Sequence, residues 1–461
     1  MRKFTSDIGE EDFGKEVELY GWVHEVRDLG GLVFVILRDR EGFAQITLPK
    51  KVVNREIFKR AKKVRRESVI RVKGVVKKEE KAPNGFEIIP SEFEVLNEAD
   101  APLPLEVTEK VPAELDTRLD NRFMDLRKPR VQAIFRIRHT VLQTIREFFD
   151  REGFIEVQTP KIVSTATEGG TELFPISYFE KEAFLNQSPQ LYKQTLMAAG
   201  FERVLEIGPI FRAEEHNTIR HLNEATSIDI EVSFTDHEGV MRYLERLIKE
   251  IHERVSEKCG RYLKWLDKEI EIPKIPFERV KYDEVLEIVN GRGEPVNWGE
   301  DLPTSALKIL AEEFDGYYFI VDWPTTTKPF YIMPKEENPE ICYAFDLMIG
   351  HVEIASGGRR IHKEELLIKR LRECGLNPKD FEHHLKFFRY GMPPHAGWAV
   401  GLDRLVMVLT GKRNIREVIL YPRDIERLLR TAVEGGYDEV IGYRRDRENI
   451  PLIHRLGNRI I

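Results

Sequence analysis

The stretch Phe211–Glu231 reads FRAEEHNTIRHLNEATSIDIE and joins two apolar segments through a highly charged turn. Arg212, Arg220 and His221 lie in its first half, and the alternating run SIDIE closes it. Such alternation is typical of a strand, so the stretch predicts a β-hairpin with a charged loop. A solvated hairpin tip is the simplest interpretation. A triphosphate site is the second, because a guanidinium at a strand end can bind a phosphate through two parallel hydrogen bonds.

A carboxylate accompanies the first arginine of this stretch. Glu214 follows Arg212 by two residues, so the two side chains share one face of an extended chain. A glutamate in that position could accept a hydrogen bond from an amino group such as that of adenine.

A second stretch, AFDLMIGHVEIASGGRR, carries two carboxylates on two strand-like runs. Asp346 and Glu353 beside a triphosphate would hold Mg²⁺ through oxygen ligands, and Ser356 could add another oxygen. The glycines at 357 and 358 would let the backbone approach a ligand closely. The alternative is an acidic, solvated surface.

A third stretch, PPHAGWAVGLDRLVMVLTG, predicts a strand, a tight turn and a helix over residues 402–409. Arg404 would lie in the first turn of that helix, where the positive end of the helix dipole favours an anion. The alternative is a strand–turn–helix whose small residues serve packing.

The whole chain limits the class of protein. Its 461 residues predict two or three domains, and 41% hydrophobic with 33% charged residues predicts a soluble globular chain. The three cysteines, Cys259, Cys342 and Cys374, have no metal or disulfide spacing, which favours a reducing compartment. No signal core or membrane-length apolar run is present in the sequence, so we expect a cytoplasmic protein without membrane contact.

Charge is unevenly distributed along the chain. The net charge of −7 argues against a nucleic-acid partner, but residues 50–81 hold 14 Lys or Arg against 4 Glu, a local excess of 14 − 4 = 10 positive charges. Such a patch can attract a polyanion, whereas the alternative is a solvated helix face.

The hydrophobic pattern predicts an α+β chain. Five short β-runs over residues 16–97, with a helix between the third and fourth, match an OB-fold barrel. We predict an OB-fold domain at 1–100, a proline-containing linker at 101–130, a catalytic domain at 131–430 built on an antiparallel sheet, and an extension of undetermined role at 431–461.

The three stretches, in this order, resemble a known family. GFIEVQTP, which ends at Pro160, FRAEE…RH and GWAVGLDR resemble motifs 1, 2 and 3 of class II aminoacyl-tRNA synthetases. LDTRLDNRFMDLR, TATEGGTELF, QSPQLYKQ, AEEHNTIRHLNEA and FRYGMPPHAG narrow the resemblance to aspartyl-tRNA synthetases of the archaeal and eukaryotic type. The resemblance covers roughly residues 16–430. It implies activation of L-aspartate with ATP and transfer to tRNA-Asp, with tRNA-Asn as a further acceptor.

The resemblance assigns roles at the nucleotide. It implies that Arg212 and Arg404 are the catalytic arginines, which hold the α- and γ-phosphates. The ATP-binding residues that the resemblance implies are Arg212, Glu214, Arg220, His221, Glu353 and Arg404. The Mg²⁺ ligands that it implies are Asp346, Glu353 and Ser356.

The resemblance also implies an aspartate pocket. Its members are Glu168, Ser188, Gln190, Lys193, Asp229, Ser356 and Arg360. We expect Arg360 and Lys193 to face the substrate's side-chain carboxylate, and an amide there would leave both charges unpaired, at a cost of several kcal/mol. Asp229 would orient Lys193, which favours aspartate over asparagine.

For the OB-fold domain the resemblance implies anticodon recognition. Phe34 would stack on the central uracil, Gln45 would read its edge, and Glu87 would read the third base. A core aromatic is the alternative for Phe34. His24 and Pro83 resemble enzymes that charge both tRNA-Asp and tRNA-Asn.

Other functions stay open at this point. The alternatives are an asparagine–tRNA ligase, a relative that makes the free amino acid, and a non-catalytic RNA-binding protein that kept the fold. The resemblance implies a homodimer whose interface includes Pro160 and the apolar helix face of Ile134, Val141 and Ile145. A core helix is the other interpretation of that face.

Overall fold

The computed structural model describes residues 2–164, 173–213, 218–425 and 427. The chain divides into two compact units, Met1–Gln132 and Ala133–Ile461. The linker at 101–130 and the other domain limits stay predictions. Glu168, Glu214 and the extension at 431–461 lie outside the described residues.

The first unit contains a closed five-stranded barrel in the order β1-β2-β3-β5-β4. Its strands are Glu16–Asp28 (β1), Leu32–Arg38 (β2), Phe43–Pro49 (β3), Val69–Lys78 (β4) and Phe86–Asn97 (β5). Alternate residues of β1 and β4 are buried, as the period of two in the sequence requires. The predicted OB-fold barrel is confirmed.

Three helices accompany the barrel: Arg55–Lys63 (α1), Leu115–Asp120 (α2) and Arg122–Asp125 (α3). Helix α1 lies between β3 and β4, where the sequence predicts a helix. The side chain of Asn54 caps it by accepting a hydrogen bond from the backbone N–H of Glu56, at 2.7 Å.

An eight-stranded sheet forms the centre of the second unit, in the order β12-β13-β14-β15-β16-β11-β10-β6. Its inner pairs are antiparallel, and the pairs at the two edges, β12–β13 and β10–β6, are parallel. The strands are Ile155–Glu156 (β6), Arg203–Phe211 (β10), Glu224–Ser233 (β11), Glu278–Lys281 (β12), Tyr317–Val321 (β13), Ala344–Ile349 (β14), Val352–Arg359 (β15) and His395–Gly401 (β16). A separate small sheet consists of Ile162–Val163 (β7), Pro175–Tyr178 (β8) and Lys181–Leu185 (β9).

Helices flank the large sheet. They are Pro129–Arg151 (α4), Gln190–Ala198 (α5), His237–Lys258 (α6), Gly260–Leu266 (α7), Tyr282–Gly291 (α8), Thr304–Glu313 (α9), Glu364–Glu373 (α10), Glu382–Phe388 (α11) and Leu402–Leu409 (α12). The predicted α+β class, with a mostly antiparallel sheet, is confirmed. Among the described residues, no helix combines the length and apolar character needed to cross a membrane.

The apolar face of α4 belongs to the core of the chain. Ile134, Val141 and Ile145 are fully buried, in one cluster with Trp398 of β16. Trp398 also joins α6 to the sheet, because its indole N–H donates to the carbonyl of Val240 at 3.0 Å. The expectation that this face of α4 is available for a subunit interface is therefore wrong, and the core-helix interpretation holds.

Candidate active site

A row of residues crosses four neighbouring strands of the large sheet. Asp229 of β11 pairs with Ala399 of β16, Ala399 with Ser356 of β15, and Ser356 with Asp346 of β14. Directly opposed residues of antiparallel strands point to the same face. The row therefore has a carboxylate at each end, Asp229 and Asp346, with two small side chains between them. Ser356 thus lies between the predicted amino-acid site and the predicted metal ligands.

The next row on the same face, farther from the charged loop, contains one carboxylate and two glycines. Glu231 pairs with Gly397, and Gly397 pairs with Gly358. A Cβ atom at Gly397 would collide with the carboxylate of Glu231 and the carbonyl of Ile230. Glycine at 397 is therefore required for the side chain of Glu231 to lie across β16.

The two glycines of SGGRR allow close packing against the neighbouring strands. A Cβ at Gly357 would come within 2.6 Å of the Gly397 carbonyl oxygen and of the Phe345 ring, and one at Gly358 within 2.5 Å of the Tyr343 carbonyl oxygen. The expectation that this pair gives a ligand access to the backbone is wrong, since neighbouring strands already occupy the space.

Arg404 joins three of the predicted nucleotide-binding segments. Its Nη1 donates to the carbonyl of Glu353 at 3.0 Å and lies 3.6 Å from the Glu353 carboxylate. Its Nη2 lies 3.4 Å from His221 Nε2, and His221 Nδ1 lies 2.6 Å from Thr218 Oγ1. Guanidinium nitrogens only donate, so His221 accepts through Nε2 and donates from Nδ1 to Thr218.

The charged hairpin supplies two further arginines. Arg212 follows the last residue of β10 and is exposed, and its backbone N–H donates to the carbonyl of Asn223 at 2.9 Å. Asn223 returns a side-chain hydrogen bond to the Arg212 carbonyl at 2.9 Å, which closes the hairpin base. Arg220 donates to the carbonyl of His351 at 2.9 Å. Burial, together with the positive charge of Arg404, lowers the pKa of Arg220.

The first turn of α12 is anchored on both sides. Asp403 accepts from Arg138 of α4 at 2.5 Å and from the backbone N–H of Thr226 at 2.8 Å. These bonds anchor the backbone at the start of α12, from which the side chain of Arg404 extends to Glu353 and His221.

The predicted metal ligands lie on adjacent strands. Asp346 is opposite Ser356, and Glu353 is opposite Met348, two residues from Asp346. Desolvation and the charge of Asp346 raise the pKa of Glu353, as expected for two carboxylates that share a site.

The donors present fit a divalent cation. Asp346 Oδ1 is buried and has no hydrogen-bond partner among the described residues, so it keeps an oxygen for another ligand. The same residues contain no group of three or more His, Cys, Asp or Glu that could hold a metal by themselves. A cation here would therefore take the rest of its coordination from phosphate oxygens and water, as Mg²⁺ commonly does.

A lysine absent from the sequence prediction neutralises this region. Lys328 Nζ lies 2.6 Å from Asp346 Oδ2 and 3.8 Å from the centre of the Trp323 ring. Burial alone would lower the pKa of Lys328, but the adjacent Asp346 outweighs it and the pKa is raised. Its segment, TTTKPFY, has no motif of its own, so only the fold shows the contact.

The predicted amino-acid pocket holds a buried ion-pair network. Lys193 of α5 is fully buried, and its Nζ lies 2.9 Å from Asp229 and 3.5 Å from Glu231. It also donates to the carbonyl of Ile230 at 3.3 Å. Ser227 Oγ donates to Asp229 at 2.5 Å and fixes that carboxylate. The predicted orientation of Lys193 by Asp229 agrees with this geometry.

Glu231 connects the second cation to the same network. Arg360 Nε donates to Glu231 at 2.9 Å, and Arg360 Nη2 donates to Gln190 Oε1 at 3.3 Å. Gln190 Nε2 donates in turn to Glu231 at 3.2 Å, and the Ser188 hydroxyl accepts from the Gln190 backbone N–H at 3.2 Å. Burial would raise the pKa of Glu231, but Arg360 and Lys193 outweigh it and hold the pKa below its ordinary range.

This network corrects the argument for selectivity. Lys193 and Arg360 carry two positive charges, and Asp229 and Glu231 carry two negative charges, so both cations are already paired inside the protein. The sequence argument assumed that an amide substrate would leave both cations unpaired. They would stay paired with Asp229 and Glu231, so this assumption is wrong. Glu231, which the sequence did not single out, contacts both cations, and its place in SIDIE, two residues after Asp229, puts it on the same face of the strand.

Comparison with known proteins agrees with this geometry. The family model described as class II tRNA synthetases (D, K and N) matches residues 114–425, and the model described as an OB-fold nucleic acid binding domain matches residues 17–96. The chain belongs to the class II tRNA synthetases.

Individual relatives of this synthetase extend over nearly the whole chain. A protein of Archaeoglobus fulgidus named aspartate–tRNA(Asp/Asn) ligase is 67% identical over 93% of the chain and 100% of the relative. Its namesake in Methanocaldococcus jannaschii is 57% identical over 92% and 97%. Among solved structures, an asparaginyl-tRNA synthetase of Pyrococcus horikoshii complexed with asparaginyl-adenylate has a TM-score of 0.87 at 34% identity, over 92% of this chain and 98% of that one. An aspartyl-tRNA synthetase of Entamoeba histolytica has a TM-score of 0.82 at 31% identity, over 93% and 92%.

The barrel of this synthetase brings its predicted anticodon residues to one surface. Phe34 of β2 is partly exposed and pairs with Thr47 of β3, and Gln45 of β3 pairs with Glu87 of β5. The Thr47 hydroxyl donates to Glu87 at 2.6 Å, and the Gln45 amide approaches Glu87 at 3.5 Å. Phe34 therefore lies on the outer face, which disfavours its interpretation as a core aromatic.

The two predicted tRNA-specificity residues lie at one end of that surface. The ring of His24 packs against Phe43 at 4.9 Å between ring centres. Asn84, next to Pro83 in a 3-10 turn, donates to the carbonyl of Phe43 at 2.9 Å. Phe43 thus contacts both His24 and the turn that contains Pro83.

Proposed function

We propose that this synthetase is an aspartate–tRNA ligase, which activates L-aspartate with ATP and transfers it to tRNA-Asp. The buried contact of 2.9 Å between Lys193 and Asp229 carries the proposal, because it holds an ammonium in a pocket that also contains Arg360. The names of the relatives at 67% and 57% identity support it.

In the activation step, the α-carboxylate of aspartate attacks the α-phosphorus of ATP and pyrophosphate leaves. The chain supplies position and positive charge and needs no nucleophile of its own. Arg212, exposed at the strand end, binds the α-phosphate and stabilises charge that builds there. Arg404, held by Glu353 and His221, binds the γ-phosphate. Glu214, which lies outside the described residues, is proposed to accept from the adenine amino group.

Asp346 and Glu353, with Ser356 between the sites, would hold Mg²⁺. The ion, when bound, neutralises phosphate charge and fixes the phosphate oxygens. Lys328 keeps the Asp346 side chain in one orientation through its contact of 2.6 Å.

Selectivity for aspartate follows from hydrogen-bond polarity. Lys193 and Arg360 carry only donors, so they match the acceptor oxygens of a carboxylate and oppose the N–H₂ group of an amide. A site built for one polarity rejects the other by about 10⁴-fold or more in favourable cases. Glu231 and Asp229 set the directions of these donors and balance their two positive charges. Glu168, outside the described residues, is proposed to bind the substrate ammonium.

The amino-acid specificity is tested by aspartate-dependent exchange between ATP and pyrophosphate. Aspartate should support exchange at least about a thousandfold better than asparagine in kcat/KM. Preferential exchange with asparagine would support the second candidate, an asparagine–tRNA ligase, which the TM-score of 0.87 to the Pyrococcus horikoshii enzyme keeps open. No exchange with either amino acid would favour an RNA-binding protein without catalysis.

For the tRNA, we propose that the enzyme also charges tRNA-Asn with aspartate and leaves the amide to a later amidotransferase. His24 and the turn at Pro83 support this, as do the relatives named for both tRNAs. Charging of a tRNA-Asn transcript under conditions that fully charge tRNA-Asp is the test.

We also propose that the enzyme is a cytoplasmic homodimer. Strand β6 is an edge strand of the large sheet, and Ile155 on it is 49% exposed. An exposed edge of this kind can pair with a second copy across a two-fold axis. Light scattering at micromolar concentration tests the dimer, and Ile155→Glu should convert it to monomers.

A further inference from the structure

A cavity of about 260 Å³ lies between helices α5 and α11. Leu191 and Thr195 of α5 line it on one side, and Phe381, just before α11, and Phe387 of α11 line it on the other. Val163, the last residue of β7, also faces the cavity. A cavity of about 150 Å³ is large enough to hold benzene, so this one has room for two fused rings.

One buried polar side chain in this cavity lacks a partner. His384 of α11 lines the cavity and is 5% exposed, and its ring packs against Phe388 at 5.2 Å between ring centres. Neither Nδ1 nor Nε2 has a hydrogen-bond partner among the residues that the structure describes. Burial lowers the pKa of His384 to about 3, so the neutral ring has one N–H donor and one acceptor nitrogen near pH 7. A buried polar group without a partner is costly, and a ligand in the cavity can supply the missing hydrogen bond.

The side chains around the cavity determine which ligand fits. The aliphatic and aromatic walls favour a flat apolar body, which can pack edge-on or offset against the Phe381 and Phe387 rings. The neutral imidazole of His384 favours an uncharged N–H group or ring nitrogen, because an ion would lose its hydration without gaining a counter-charge. Asp380, an exposed carboxylate among the lining residues, disfavours an anion. A neutral aromatic heterocycle meets all three conditions.

Helix α5 has one face on this cavity and another in the proposed aspartate pocket. Residues three or four apart share a helix face, so Leu191 and Thr195 lie on one side of α5, and Gln190 and Lys193 lie on the other. Gln190 and Lys193 are buried and belong to the ion-pair network of that pocket. A ligand that packs on Leu191 and Thr195 favours the position of α5 in which these contacts form. Aspartate needs the same position, so each ligand should strengthen the binding of the other.

We propose that the cavity between α5 and α11 binds a neutral aromatic heterocycle of about two fused rings, hydrogen-bonded to His384, and that this ligand strengthens aspartate binding through α5. The binding site stands on the geometry of the cavity alone. The linkage rests on the proposed function, in which the other face of α5 belongs to the aspartate pocket.

Binding can be measured without any activity by comparing two probes of the same shape. Benzimidazole has one N–H donor and one acceptor nitrogen, and indene is the corresponding hydrocarbon. The full-length protein, labelled with ¹³C-histidine, is titrated with each probe in the presence of saturating ATP, which keeps the probes out of the nucleotide site. Benzimidazole should shift the His384 signal, assigned by its loss in His384→Phe, and should bind roughly fivefold tighter than indene, as expected for one hydrogen bond.

The variant His384→Phe isolates the hydrogen bond. It replaces an unpartnered polar ring with an apolar ring of similar shape, so it should fold at least as well as the wild type and bind both probes equally, as followed by calorimetry. His139→Phe, on the exposed face of α4, is the matched control and should keep the preference for benzimidazole. Leu191→Trp fills the cavity and should abolish the shift of the His384 signal, so the test stands if His384→Phe does not fold.

Three results would overturn the binding site. They are the absence of saturable binding, which would leave water as the occupant, a benzimidazole shift that leaves His384 unchanged, and equal affinity for the two probes in the wild type.

The linkage has its own measurement. In exchange between ATP and pyrophosphate, saturating benzimidazole should lower the KM for aspartate by about fivefold in the wild type and leave it unchanged in Leu191→Trp. An unchanged or raised KM in the wild type would contradict the linkage. Saturable binding at His384 without exchange on any amino acid would instead show that the proposed function is wrong while the binding site exists.

Discussion

The carboxylate of Glu231 accepts from Arg360 at 2.9 Å and approaches Lys193 to 3.5 Å, so one buried glutamate connects the two cations of the proposed aspartate pocket. The substrate carboxylate would thus enter a site whose charges already balance. Its recognition depends on the direction of donors more than on net positive charge.

We expect Glu231→Gln to weaken both folding and aspartate binding. The change removes a buried charge that two cations contact, which should cost about 3 kcal/mol of unfolding free energy and raise the KM for aspartate at least about tenfold. Chemical denaturation and ATP–pyrophosphate exchange measure the two effects. Glu224→Gln, at the exposed start of the same strand, is the matched control and should change neither.

The contribution of Glu231 also predicts a pH dependence of stability. Its pKa in the folded protein lies below the ordinary value of 4.5, so it stabilises the fold fully above pH 4.5 and this contribution is lost as the pH falls through the lowered pKa. The difference in unfolding free energy between the wild type and Glu231→Gln should therefore be constant from pH 5 to 8 and shrink below 4.5. A difference that grows on acidification would contradict the assignment.

Lys328 should influence both stability and the metal requirement. Lys328→Met leaves the buried Asp346 without its counter-charge, at a cost of about 3 kcal/mol in unfolding free energy. The same change removes a cation that competes for Asp346, so Mn²⁺ binding with ATP, followed by electron paramagnetic resonance, should become tighter. Lys328→Arg should stay close to the wild type in both measurements. Weaker Mn²⁺ binding in Lys328→Met would show that Lys328 supports the metal rather than competing with it.

The two arginines proposed to bind the ATP phosphates should differ in the kinetic effects of their substitution. Arg212→Lys should lower kcat for exchange by about 10²-fold, because a single point charge cannot reproduce two directed donors at the reacting phosphate. Arg404→Lys should mainly raise the KM for ATP, because it loses the contacts to Glu353 and His221 that position it. Arg413→Lys, at an exposed position nearby in sequence, should leave both constants unchanged.

Stacking by Phe34 should affect the charging of tRNA and leave the activation of aspartate unchanged. Phe34→Ala should lower kcat/KM for tRNA-Asp by about 5- to 100-fold, the range expected for loss of one base–aromatic stack. Exchange between ATP and pyrophosphate requires no tRNA, so a parallel loss of exchange would point to misfolding instead.

Much of this architecture is predictable from local pattern. The barrel strands alternate with a period of two, and helix α1 carries its own cap at Asn54, so both are visible in sequence. The hairpin and the start of α12 follow from strand and turn signals around Arg212 and Arg404. Each depends on residues that are close together in the chain.

The missed features depend on long-range contacts. Lys328 and Asp346 are 18 residues apart, and Arg360 and Glu231 are 129 apart, so nothing local marks either pair. The apolar stripe of α4 was ambiguous for a related reason, since periodicity shows that a helix face is buried but not what buries it. The structure assigns that face to the core of the chain through Trp398.

The central claim is that this synthetase activates aspartate, and its most direct test compares aspartate and asparagine in exchange between ATP and pyrophosphate. The account predicts rapid exchange with aspartate and a kcat/KM at least about a thousandfold lower with asparagine. Equal exchange, or a preference for asparagine, would contradict it.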